Sequence, residues 1–302
     1  MPKAKPTPKA QSKLSLADTL ASFTAARQAM GVTSRTLDFY RDTLPPFIAW
    51  CEAHGAPTID AVTADHIRRY LVTLQERNLA AWTVHGAARA IKSLLRFAVA
   101  DELIAVAPKF TMPKLPKKIL PAFEPSDIQK LLGVAERDRD KAIILFLLDT
   151  GIRAAEFVAL RGGAVDISTG AVVVQTGKGQ KGRMVYLGAR SRRALLKHWQ
   201  ERKPSATAAL WVSSTTGERL TESGLRQVLR RLGAAANVQH CHPHTFRRTF
   251  ALWSLRAGMN IHVLARLMGH EDIGVLKQYL ALVEADLQSA HAAHGAVDRF
   301  LK

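Results

Sequence analysis

Residues 140–160 read DKAIILFLLDTGIRAAEFVAL. The first half is apolar on almost every side. That is the pattern of a helix buried inside a core rather than laid on its surface. Thr150-Gly151 interrupts it, and AAEFVAL lets a helix resume. The break leaves Arg153 and Glu156 three residues apart on one helical face. A buried helix that stops, presents an arginine and restarts is the anchor for everything around it.

Working outward, EPSDIQKLLGVAE (residues 124–136) opens this half of the chain with a Ser/Asp cap region. On the other side, GAVVVQTGKGQKGRMVYLG (170–188) has β-branched runs flanking a Gly/Lys turn, which predicts a hairpin or small sheet. Helical patterns follow at 190–203, 222–237, 243–258, 262–270 and 275–294. The expected domain, residues 123–302, is mostly helical with one small antiparallel sheet.

Upstream, VAPKFTMPKLPKKILPA (106–122) holds four prolines and four lysines and no acid. Proline blocks helix, so the stretch reads as a semi-rigid basic linker and a domain boundary. Before it, residues 14–105 carry four helical patterns. The first closes at Gly31, a good C-cap, and the second contains Pro45-Pro46, which should kink or divide it. The third opens after Thr63 and the fourth runs from Trp82. Four helices in about 90 residues make a compact all-α domain. Residues 1–13 are Pro/Lys-rich with almost nothing to bury, and read as a disordered basic arm.

The whole chain has 302 residues, 43 Lys+Arg against 25 Asp+Glu, and a formal net charge of +18. At 47% hydrophobic it can bury sizeable cores, which excludes a wholly disordered or fibrous protein. It contains no apolar run of membrane-spanning length and no secretory leader pattern. Two cysteines cannot form a disulfide framework, and a cytoplasmic location is expected. The charge points to a polyanionic partner, nucleic acid first. Arg68, Arg69, Arg89, Lys92 and Arg96 on the N-terminal helices, with Lys114, Lys117 and Lys118 in the linker, are candidate DNA contacts. Any one of them alone reads as part of a solvated face.

Four separated segments carry chemistry: TGIRAAE with Arg153 and Glu156, TGKGQKGR with Lys178, HPHTFRRTF with His244 and Arg247, and LMGH with His270, followed nine residues on by Tyr279. Their order and content resemble the tyrosine recombinase, or phage integrase, family, of the two-domain Xer-like kind, over essentially the whole chain. The resemblance implies an N-terminal four-helix, SAM-like core-binding domain and a C-terminal α+β catalytic domain. It also implies a catalytic set of Arg153, Lys178, His244, Arg247, His270 and the nucleophile Tyr279.

Elementary chemistry supports that set. Transfer at a phosphodiester needs its anionic oxygens neutralised as charge develops. Arg153 and Arg247 are permanently charged planar forks suited to phosphate. Tyr279, one of four tyrosines, can form a covalent phosphodiester that conserves the bond energy. A lysine on a Gly-flanked turn can reach into a site, and by resemblance Lys178 is the general acid; Lys181 and Arg183 are rivals for that role and otherwise candidate DNA contacts. His244 and His270 can donate to phosphate oxygens or move the tyrosine proton. Glu156 is expected to orient Arg153. Singly, Arg153 reads as an ion-pair partner and Tyr279 as core packing; jointly they read as a site.

HCHPH (His240, Cys241, His242, His244) is too crowded for a usual structural zinc set, so no metal and no cofactor is expected. Arg248 stands where the family often has histidine, adding positive charge as a further candidate DNA contact. After Tyr279, an Ala/Leu-rich helix runs to Gly295 and ends in an apolar tip, Val297, Phe300 and Leu301. By resemblance this tail is exchanged between protomers in a cyclic tetramer; alternatively it folds back on its own domain. The implied function is site-specific recombination of duplex DNA through a 3′-phosphotyrosyl link and a Holliday junction. The other readings are a type IB-like topoisomerase acting alone and a non-catalytic DNA-binding protein on the same scaffold.

Overall fold

The computed structural model describes residues 14–116, 121–175, 182–202 and 205–269. The chain divides into two compact units, Met1–Lys118 and Ile119–Lys302. The architecture is the expected one: a helical N-terminal unit, and a C-terminal unit that is mostly helical with a small antiparallel sheet.

In the first unit, α1 (Leu16–Ala29) starts where the Ser15 hydroxyl accepts from the Asp18 N–H, and ends before Gly31 at φ +70°. Helix α2 (Ser34–Ala53) is capped by Thr33 and runs through both prolines as one element. Leu44, Phe47, Ile48 and Cys51 are buried around the prolines. Their packing outweighs the backbone hydrogen bonds that proline removes. A reciprocal Thr63–His66 box opens α3 (Ala64–Glu76). The longest buried face belongs to α4 (Ala81–Ala100), with Val84, Ala88, Ile91, Leu94 and Leu95 at helical spacing. These helices close one core around Phe23, Phe47 and Ile91.

The stretch expected to begin a linker at residue 106 is neither helix nor strand where described, yet its first part is packed. Ala107, Phe110 and Met112 lie against the first unit's core. The His85 ring nitrogen Nδ1 stands 2.9 Å from the Pro113 carbonyl oxygen. Apolar residues between the prolines explain the difference: composition flagged the prolines and lysines, while the Phe and Met still have a core to bury into.

In the second unit, α5 (Pro125–Val134) is capped not by Ser126 but by a reciprocal Glu124–Asp127 pair. The quoted stretch forms α6 (Asp138–Thr150) and α7 (Ala154–Ala159), split at Gly151 with φ +57°. A Cβ at Gly151 would stand 2.3 Å from the Phe250 ring, so glycine is required on both backbone and steric grounds. Strands β1 (Ala171–Val174) and β2 (Arg183–Tyr186) pair antiparallel, Val172 opposite Val185 and Val174 opposite Arg183. Helices α8 (Ala189–Arg202), α9 (Glu222–Ala235), α10 (Pro243–Arg256) and α11 (Ile261–Met268) complete the described α-helices. The core is aromatic at its centre: Phe157 stacks on Trp211 at 4.6 Å, and Phe146 meets both edge-on. Phe123 is buried against Phe246, and its N–H donates to the Thr249 hydroxyl at 2.8 Å. Among the described residues no helix is long and apolar enough to cross a membrane.

Candidate active site

The site is organised around the last turn of α11. A helix C-terminus presents carbonyls without intrahelical donors and the negative end of the helix dipole. Gly269 ends α11 at φ +64°, and three successive carbonyls there each accept from a different arginine. Leu267 O takes Arg183 Nε at 2.7 Å, Met268 O takes Arg247 Nη2 at 2.6 Å, and Gly269 O takes Arg153 Nη2 at 2.9 Å. The three arginines come from β2, α10 and the α6–α7 break, so one turn of helix gathers three remote segments.

Arg153 sits at the N-cap of α7. Its Nη1 donates to Glu156 Oε1 at 3.0 Å, and its own backbone N–H donates to Oε2 at 2.8 Å. The Arg153 side chain remains 41% exposed, and so can face a ligand. Arg247 is buried, and its Nη1 donates to Gly151 O at 2.6 Å. The two arginines therefore converge: both reach the α11 end, and Arg247 also grips the break that positions Arg153.

Glu156 lies beneath them. Arg183 clamps it with two hydrogen bonds, Nη1 to Oε1 and Nη2 to Oε2, both 2.7 Å. Burial alone would push the Glu156 pKa up. The Arg183 hydrogen bonds, the Arg153 backbone N–H and the Arg183 charge prevail and hold it at about 2. Glu156 is thus an anion throughout the neutral range, one negative charge shared by Arg153 and Arg183.

His244 lies one turn before Arg247 on α10 and is exposed. Desolvation, then the charges of Arg248, Arg247 and Arg226, lower its pKa, with Glu222 opposing. The imidazole is therefore neutral near pH 7. Arg248 is half-buried and acts on His242 in the same way. Among the described residues no group of His, Cys, Asp and Glu side chains is placed to hold a metal ion. Both cysteines are free thiols, and burial pushes each up to about 12.

Lys178, Lys181, His270 and Tyr279, with Lys117 and Lys118, lie outside the described residues. Of the sequence-derived DNA contacts, Arg89, Lys92 and Arg96 are exposed on one face of α4, and Lys114 is exposed. Arg89 lies over the Phe39 ring, and Arg68 and Arg69 both pair with Asp65. Arg183 is different: its side chain is only 10% exposed and is spent on Glu156 and Leu267. The open position expected of a DNA contact is not where this residue sits. The signal was present in the strand. Period-two alternation puts Arg183 on the face of buried Val185, opposite exposed Met184 and Tyr186.

Residues 121–285 match the model of the phage integrase family, and residues 20–105 match that of the phage integrase N-terminal SAM-like domain. The chain belongs to the phage integrase family. It is 30% identical over 276 residues to the tyrosine recombinase XerC of Oceanobacillus iheyensis, covering 85% of this chain and 88% of that protein. It is 28% identical over 276 residues to the tyrosine recombinase XerD of Pseudomonas aeruginosa, covering 87% and 92%. Among solved structures, the Tn1549 transposon integrase in complex with a circular intermediate DNA shares the fold, with a TM-score of 0.72 at 19% identity over 86% of this chain and 94% of that one. Within this family the protein is a site-specific tyrosine recombinase, an enzyme of DNA strand transesterification. A lone topoisomerase or a non-catalytic binder on the same scaffold is not favoured.

Proposed function

We propose that Tyr279 is the nucleophile and that Arg153 and Arg247 hold the scissile phosphate of duplex DNA. The observation that carries this is the convergence of both arginines on the α11 end, where Gly269 directly precedes His270 in sequence. In the first step the Tyr279 phenolic oxygen bonds to phosphorus, and the bond from phosphorus to the 5′ oxygen breaks. The tyrosine proton leaves to a base, a role suited to the imidazoles of His244 and His270, and the departing 5′ oxygen takes a proton from Lys178. In the second step a 5′-hydroxyl of the partner duplex attacks the 3′-phosphotyrosine and releases the tyrosine. One phosphodiester is exchanged for another, so the reaction needs neither ATP nor metal.

The partner is a pair of DNA recombination sites, bound by a homotetramer that proceeds through a Holliday junction, with an accessory or related recombinase where direction is controlled. The tail after Tyr279 is exchanged between protomers. The two units, joined by basic residues, hold the duplex largely by its backbone, which makes binding strongly salt-dependent. The protein works in the cytoplasm, on the nucleoid.

The test is a nicked suicide substrate from which the 5′ fragment is lost. Wild-type protein is expected to accumulate a covalent adduct, while Tyr279→Phe binds the same DNA and forms none. An adduct that persists in Tyr279→Phe overturns the assignment. Lys178→Ala is expected to slow cleavage, and a 5′-phosphorothiolate, whose leaving group needs no proton, is expected to restore it.

A further inference from the structure

We infer that Arg183 is a positioning residue for DNA cleavage, acting through Glu156 and the end of α11. Arg183 stands outside the arginine pair and touches both of its supports. It holds both oxygens of Glu156, which in turn holds Arg153, and it holds Leu267 O, next to the carbonyl that holds Arg247. Gly269 closes over it: a Cβ there would stand 3.0 Å from Arg183 Nη1 and 3.1 Å from Cζ. The left-handed turn that ends α11 therefore rests on the Arg183 guanidinium.

The location adds a connection. Arg183 is the first residue of β2, paired with Val174 of β1. It sits five residues after Lys178 in the same hairpin sequence. Strand β2 thus ties the segment that bears the proposed acid to the turn that seats both proposed phosphate-binding arginines. Lysine cannot reproduce this contact. A single ammonium lacks the planar fork that spans two carboxylate oxygens while Nε reaches a third acceptor.

A placement error of about 1 Å in a reacting constellation costs about 10²-fold in rate. The expected loss for Arg183→Lys is of that size, with DNA affinity within about twofold of wild type at fixed salt. This rests on the recombinase reading above, so the wild type and Tyr279→Phe are run beside it.

The experiment measures single-turnover adduct formation at saturating DNA for wild type, Arg183→Lys and Glu156→Gln on three suicide substrates. These carry a normal scissile phosphate, a 5′-phosphorothiolate, and a methylphosphonate whose scissile phosphorus bears no negative charge. A role through Arg153 and Arg247 predicts that the defect of both variants shrinks on the methylphosphonate, which needs less charge neutralisation, and persists on the phosphorothiolate. Rescue by the phosphorothiolate would place the defect at proton donation, in Arg183 itself or through Lys178, and overturn the proposal. Weaker binding with a normal rate at saturation would make it a DNA contact and overturn it equally. Equal losses on all three substrates would mark a general folding defect, again against it. A wild type that forms no adduct at all defeats the recombinase reading itself, and the proposal with it.

Discussion

The guanidinium of Arg247 bridges the carbonyl oxygens of Gly151 and Met268, donating to each at 2.6 Å. Those oxygens end two helices, α6 and α11, that are distant in sequence. The arginine proposed to bind phosphate is therefore also the bolt between the two turns that form the site.

Removing that bolt has two separable consequences. Arg247→Ala leaves two carbonyls without this donor in a buried setting, at about 1–3 kcal/mol each where no water replaces it. Urea unfolding is expected to show a loss of about 2–6 kcal/mol. Adduct formation should fall further than stability explains, because at saturating DNA and low temperature the folded variant still lacks the fork.

Gly151 is held to glycine by φ +57° and by the Phe250 ring. Gly151→Ala should destabilise by at least about 1–2 kcal/mol from the backbone alone. Adding Phe250→Leu removes the ring edge that the new methyl meets. The double variant should be more stable than the two single losses predict, by on the order of 1 kcal/mol in a double-mutant cycle. Strict additivity would show that the ring contact is irrelevant.

Glu156 makes stability depend on acid. Its folded pKa of about 2 lies below the usual 4.5, so ionisation favours the folded state. That stabilisation is complete above about pH 4.5 and is lost as pH falls toward 2; the full shift corresponds to on the order of 3 kcal/mol. Glu156→Gln lacks it. The stability gap between wild type and Glu156→Gln should narrow as unfolding is measured from pH 5 down to pH 2.5.

His244 is kept neutral partly by Arg248. If its neutral form serves cleavage, the rate should fall as pH drops through a value below 6.5. Arg248→Gln removes a nearby positive charge, raises the His244 pKa and should move that acid limb to higher pH. NMR titration of the His244 ring in both proteins checks the shift independently of activity. An unmoved ring titration would remove Arg248 from the account.

Much of the site was legible along the chain. Arg153 and Glu156 meet because they follow a visible helix break as the N-cap and N3 residues of α7, and His244 and Arg247 are neighbours because they lie one turn apart on α10. Both follow from local periodicity. The packing of Phe110 and Met112 on the first unit and the continuity of α2 through Pro45-Pro46 were not legible. In each, burial against residues far along the chain overrides a local preference.

Sequence by itself determined the element order, the hairpin, the glycine breaks and the motif set, since each depends on neighbours within a few turns. Only tertiary structure decided what Arg183 does. Strand alternation could turn it inward, but no spacing rule brings a β2 arginine, an α7 glutamate and the last carbonyls of α11 together. Packing of distant elements does that, and it turns a residue whose charge suggested DNA inward onto Glu156 and the Leu267 carbonyl.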